Sequence, residues 1–180
     1  MRSISKQSTS GMTILEVIAV VAIIGILAAI AAPGWLTFAN RQRANRATDQ
    51  VLQSIRSAQA DAKRTRRTRT LEFGVDATTN TPLLNANGVT TKIGEGDLDG
   101  IVDLKVFENV TYDADGNVTG GDDITGTKPI KFTSTGGIED LNLPVHVTVS
   151  IPKDDGVKKC VAVRSLLGAT QLGRDAECAF

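Results

Sequence analysis

The sequence predicts an α+β fold, with one long N-terminal helix packed against antiparallel β-sheet. Three observations predict it. An apolar run over residues 17–32 is headed by a single acid, Glu16. A stripe of small and branched apolar residues at steps of three and four then continues as far as Ala62. Beyond Thr68 the hydrophobic period changes to two, the spacing of strands with alternating faces.

The first ten residues are polar and carry Arg2 and Lys6. Between residues 12 and 35 the only clearly polar side chains are Thr13 and Glu16. At 1.5 Å per residue, about 20 such residues cross a bilayer, so residues 12–34 are expected to span one. An ionised carboxylate is costly in lipid, so Glu16 calls for a partner. Trp35 falls where the chain would leave the membrane, a place that suits an indole with one wet edge. Pro33 removes a backbone donor and crowds the preceding turn, so the helix is expected to kink or loosen there, with Gly34 assisting. Two plainer readings compete. One is a signal peptide cut after Ala29-Ile30-Ala31, releasing a secreted domain. The other is an unprocessed single-pass anchor, which could tether an enzyme.

Residues 35–67 continue the helix with an amphipathic pattern. Ala44, Ala47, Val51, Ile55, Ala58 and Ala62 form one face, and the alanines on it allow a sheet to approach closely. The helix is expected to run from Thr13 to Arg66. Lys63, Arg64, Arg66, Arg67 and Arg69 cluster at its end. Such cations complement a helix C-terminus. They could also form an anion-binding patch for DNA or lipid headgroups, although no aromatic residues are interleaved for base stacking.

Residues 68–180 read as a β-rich domain. Leu71, Phe73 and Val75 alternate with polar residues, as do Val102, Leu104 and Val106. Ile130 and Phe132 form a short strand ending at Gly136-Gly137. Val145, Val147, Val149 and Ile151 alternate with His146, Thr148 and Ser150, and a turn at Pro152-Lys153-Asp154-Asp155-Gly156 returns the chain along residues 157–163. Residues 76–100 and 113–128 are rich in Gly, Asn, Asp and Thr and read as long loops or irregular hairpins. Asp97-Leu98-Asp99-Gly100 and Asp113-Ala114-Asp115-Gly116-Asn117 invite a calcium hypothesis. Neither fits an EF-hand loop, and Asp-Gly is equally a hairpin turn signal. No metal ligand set or cofactor is therefore expected.

No catalytic constellation appears. His146 is the only histidine and is expected to be an exposed or satisfied strand residue. The chain has 20 basic and 20 acidic side chains, a balance with no global drive toward nucleic acid. Cys160 and Cys178 would be free thiols in a cytosolic protein. Behind a membrane-targeting helix they are expected to form one disulfide that pins the C-terminal tail.

A polar leader, then Gly11-Met12-Thr13-Ile14-Leu15-Glu16 and a long apolar helix resemble the type IV prepilin signature. The resemblance implies a leader of residues 1–11, cleavage between Gly11 and Met12, and N-methylation of Met12. It implies that Glu16 and Pro33 serve assembly. The cut frees a positive amine on Met12, and Glu16, four residues on, shares its helical face. The carboxylate can neutralise that amine or a neighbour's, which would set register in a stack of helices. Orientation also follows from the resemblance, because Arg41, Arg43 and Arg46 outnumber the leader's two cations.

The helix segment Gln53 to Arg69 followed by Leu71-Glu72-Phe73, and later Lys159-Cys160-Val161-Ala162-Val163, Leu167-Gly168-Ala169-Thr170 and Gly173-Arg174-Asp175-Ala176-Glu177-Cys178, are similar to the GspH/FimT group of minor pilins and pseudopilins. This implies a pilin-like fold and a non-enzymatic subunit of a type IV pilus or type II secretion pseudopilus. It would be anchored in the inner membrane with its C-terminal domain in the periplasm. The implied partners are other pilins or pseudopilins in a helical fibre, a prepilin peptidase, an inner-membrane assembly platform and the lipid bilayer. DNA is the partner in the alternative reading, a minor pilin for natural transformation using Lys63 to Arg69 or Arg164 and Arg174. Asp175 and Glu177 beside Arg174 weigh against it.

Overall fold

The computed structural model describes residues 11–94, 100–153 and 156–179, without the side chains of residues 31–33. By its internal contacts the chain divides into two units, Met1–Phe38 and Ala39–Phe180. Helix α1, Ile14–Thr65, supplies the described helical part of the first unit and continues into the second.

In the Ala39–Phe180 unit α1 buries the expected stripe. Ala44, Ala47, Val51, Ile55, Ala58 and Ala62 are each no more than 5 % exposed. The helix ends in a left-handed turn, with Arg66 at φ 52°. The Arg67 amide closes back on the Ala62 carbonyl at 3.3 Å, the six-to-one bond of a Schellman cap.

Ten strands follow among the described residues: β1 (Arg69–Val75), β2 (Pro82–Ala86), β3 (Val89–Lys92), β4 (Asp103–Tyr112), β5 (Val118–Asp123), β6 (Ile130–Phe132), β7 (Ile138–Glu139), β8 (Val145–Ile151), β9 (Val157–Val163) and β10 (Thr170–Arg174). They form two antiparallel sheets, ordered β3-β2-β1-β6-β7 and β10-β9-β8-β4-β5. One core joins the α1 stripe to Leu71, Phe73, Ile130 and Phe132 of the first sheet and to Leu104, Val106, Val147 and Val161 of the second. The α+β class, the long helix and the antiparallel pairing thus agree with the sequence reading.

Residues 76–100 and 113–128, expected to be long loops or irregular hairpins, each carry hairpin strands. In the first of them β2 and β3 pair in regular register across Asn87 and Gly88 (φ 54° and 92°), a more regular hairpin than expected. Positive φ at both central residues is what a tight two-residue turn needs. Within residues 113–128, β5 pairs with β4 as the irregular hairpin expected, with register shifts between Glu108 and Thr111 and between Thr111 and Tyr112, and Asn109 at φ 53°.

The alternation of β8 misleads. All seven of its residues are buried, so His146, Thr148 and Ser150 do not face solvent. The far side of this sheet is covered by a small cluster of Phe107, Val110 and Ala179, and by the C-terminal segment that carries Cys178.

The Cys160–Cys178 disulfide is present, with Cα atoms 5.6 Å apart. It ties the short 3-10 turn Asp175–Glu177 and the residues after it to β9.

Candidate functional site: an exposed apolar helix and its first turn

Gly11 to Thr13 precede the helix in non-helical backbone. Gly11 is exposed and Met12 is 67 % exposed. The Gly11–Met12 bond therefore lies outside regular structure and is open to solvent. Thr13 caps α1: its Oγ1 accepts the Glu16 amide at 3.3 Å, and its carbonyl accepts the Glu16 and Val17 amides at 3.1 and 3.2 Å. Glu16 thus occupies the third helical position, where the helix dipole favours an anion.

The Thr-x-x-Glu spacing is that of a capping box. Reading the carboxylate as costly in lipid overlooked this local role, although the spacing was visible. The two roles are compatible, because a carboxylate favoured by the helix dipole is still available to a cation.

Beyond this turn the large apolar side chains are exposed as far as Ile30. Ile18, Ile24, Ile26 and Leu27 are 64, 58, 63 and 61 % exposed. At 100° per residue these point in different directions around the axis, so the helix is bare on all sides. Trp35 and Phe38 extend the exposed surface, their rings 6.0 Å apart. Helices apolar all round are found buried, in a protein interior or in lipid.

No single helix among the described residues is long and apolar enough to cross a membrane. The segments Ile14–Ile30 and Gly34–Thr65 of α1 meet that criterion together, by length and composition. The side chains of Ala31 and Pro33, which bear on the competing cleavage site and on the expected loosening, lie outside the described residues. So does the leader, residues 1–10.

The remaining candidates have local structural roles. Asp61 pairs with Arg64 at 2.8 Å and Arg69 at 3.4 Å. The Arg64 guanidinium holds its carboxyl below the usual carboxylate range. Two of the five clustered cations are therefore matched internally. Arg164 stands over the Tyr112 ring at 4.9 Å. The Arg174 amide donates to Glu177 Oε2 at 3.0 Å.

Asp113 ties its own turn. Its Oδ1 accepts the Asp115 and Asn117 amides at 3.0 and 2.8 Å, and its Oδ2 accepts Asn117 Nδ2 at 3.1 Å. These bonds keep its carboxyl ionised to lower pH than usual. The carboxylate serves as turn chemistry, and no group of three His, Cys, Asp or Glu that could hold a metal occurs among the described residues. The other acidic motif, at residues 97–99, lies outside them.

His146 is fully buried. Its Nδ1 accepts the Ala179 amide at 3.5 Å and its Nε2 lies 2.6 Å from Tyr112 Oη. The neutral ring therefore carries its proton on Nε2 and donates it to the tyrosine. Desolvation, then the positive charge of Arg164, push its pKa down to about 4. It is a satisfied interior histidine that fastens the C-terminal segment.

No protein-family model, curated protein or solved structure matches the chain.

Proposed function

We propose that the protein is a minor pilin or pseudopilin, a structural subunit of a type IV pilus or type II secretion pseudopilus with a pilin-like fold. One observation carries the reading. A single helix is bare and apolar over its first part, with Glu16 in its opening turn, and is buried against two sheets over its second part. A bare apolar helix needs lipid or other helices around it, and Glu16 narrows the choice to a setting that supplies a cation.

In this reading the peptidase cuts the exposed Gly11–Met12 bond and leaves a free, then methylated, amine on Met12. In the membrane Glu16 neutralises that amine. In the fibre the carboxylate of one subunit faces the amine of another, and the pair fixes axial register while the apolar surfaces bury each other. Breaking one partner of such a pair leaves an uncompensated buried charge, at a cost of about 3–5 kcal/mol. The domain folded around residues 39–65 of α1 would stand in the periplasm and then on the fibre.

Glu16→Ala should therefore leave processing largely intact and abolish incorporation into fibres. Mass spectrometry of the mature N-terminus reads the first outcome and sedimentation of sheared fibres the second. Normal fibre incorporation by this variant would refute the assembly role. A mature N-terminus beginning at Ala32 would refute the processing step.

A further inference from the structure

We infer that the end of the Ala39–Phe180 unit at which α1 terminates is a docking surface for an anionic phospholipid bilayer. Three segments meet there: the last turns of α1, the β6–β7 turn and the β9–β10 turn. Gln59 Nε2 ties them together, donating to the Gly136 carbonyl at 2.8 Å and the Leu167 carbonyl at 2.9 Å. The Ile138 amide donates to the Leu166 carbonyl at 3.0 Å. The Lys63 side chain lies against Gly136 and the Gln59 amide against Gly168.

The β9–β10 turn is thus held by its backbone while it turns two leucines outward. Leu166 is 68 % and Leu167 79 % exposed. The neighbouring acids are largely engaged elsewhere: Asp61 holds Arg64 and Arg69, and Asp140 holds Lys131 at 2.8 Å. Lys63, Arg66 and Arg67 are exposed and have no ion-pair partner among the described residues. Glu139 is the one carboxylate on these elements outside an ion pair, so the surface keeps an excess of positive charge.

Two leucines fall far short of the roughly 800 Å² per partner that a stable protein interface covers. A bilayer has no such threshold. Short apolar side chains enter the interface while flanking cations attract anionic headgroups, and the two signals add. The leucine turn supplies the first, and Lys63, Arg66 and Arg67 supply the second. The surface shares no residue with the Glu16 site, so the result of the Glu16→Ala experiment leaves this inference untouched.

The test uses the full chain, its apolar helix wrapped in non-ionic amphipol, with Leu167→Trp in a Trp35→Phe background. It is mixed with phosphatidylcholine vesicles containing about 30 % phosphatidylglycerol and brominated acyl chains. Indole emission should be quenched, because only insertion of the turn brings the ring to the bromines. Lys63→Gln, Arg66→Gln and Arg67→Gln together should weaken the apparent lipid affinity about 100-fold, and added salt should act in the same direction. Leu166→Ser should weaken it about tenfold. All of these side chains are exposed, and near-ultraviolet circular dichroism verifies that each variant keeps its fold. Absence of quenching on anionic vesicles, or quenching indifferent to the three cations, would overturn the inference. Self-association that the leucine changes abolish, without quenching, would assign the surface instead to a contact between copies of the chain.

Discussion

His146 gives the clearest residue-scale consequence. It is neutral in the folded protein, with its pKa pushed down to about 4, whereas an unfolded chain protonates it near pH 6.5. Between those values the unfolded state binds the extra proton. Stability from this residue is therefore complete above about pH 6.5 and is lost as pH falls toward 4, by about 3 kcal/mol in total. Urea denaturation of wild type and His146→Gln across that window should show the wild-type midpoint falling more steeply with acid. Parallel profiles would refute the assignment. Glu108 and Asp61 also have lowered pKa values, but their contributions belong to the lower carboxylate range and are common to both proteins. The sequence placed His146 on a strand; only the covering Tyr112 and Ala179 decide that it is interior and which nitrogen carries the proton.

At the scale of elements, the α1 stripe was legible in full, because residues at steps of three and four must share a face. Its alanines set how closely the sheets approach. Ala47 is 1 % exposed, so Ala47→Leu should overpack the interface and cost about 1–3 kcal/mol or more, read as a lowered thermal midpoint. An unchanged midpoint would mean that the helix can move away from the sheets. The hairpins were less legible. The tight turn at Asn87 and Gly88 carried a recognisable signal, but β2 and β3 are short and mixed in composition, with Thr90 and Thr91 exposed. Partners across the sheet define such strands more than their own pattern does. In β8 the period-two signal was real, yet it implied a wet face that the molecule does not have. A pattern of side-chain types reports which face is more apolar, not whether a distant segment lies over the other.

For the molecule as a whole, the distant segment in question is the C-terminus. The disulfide closes a loop with a sequence separation of 18 and should contribute about 3 kcal/mol, chiefly by restricting the unfolded chain. Replacing Cys160 and Cys178 together by Ala should lower stability by about that amount. It should also raise hydrogen exchange at Ala179 well above that of the β8–β9 pairing. Equal protection with and without the bond would show that Tyr112, His146 and Phe107 hold the segment unaided.

The sequence by itself determined the long helix, its apolar and amphipathic halves, the strand-rich remainder and the Gly-Met-x-x-x-Glu entry. Each depends on local composition and period, which the chain carries along its length. Tertiary structure decided that two sheets share one core with α1, that both faces of β8 are covered, and that leucines from one turn and cations from a helix end lie together. Those facts depend on contacts between residues far apart in the chain, and no local pattern encodes which segment will cover which face.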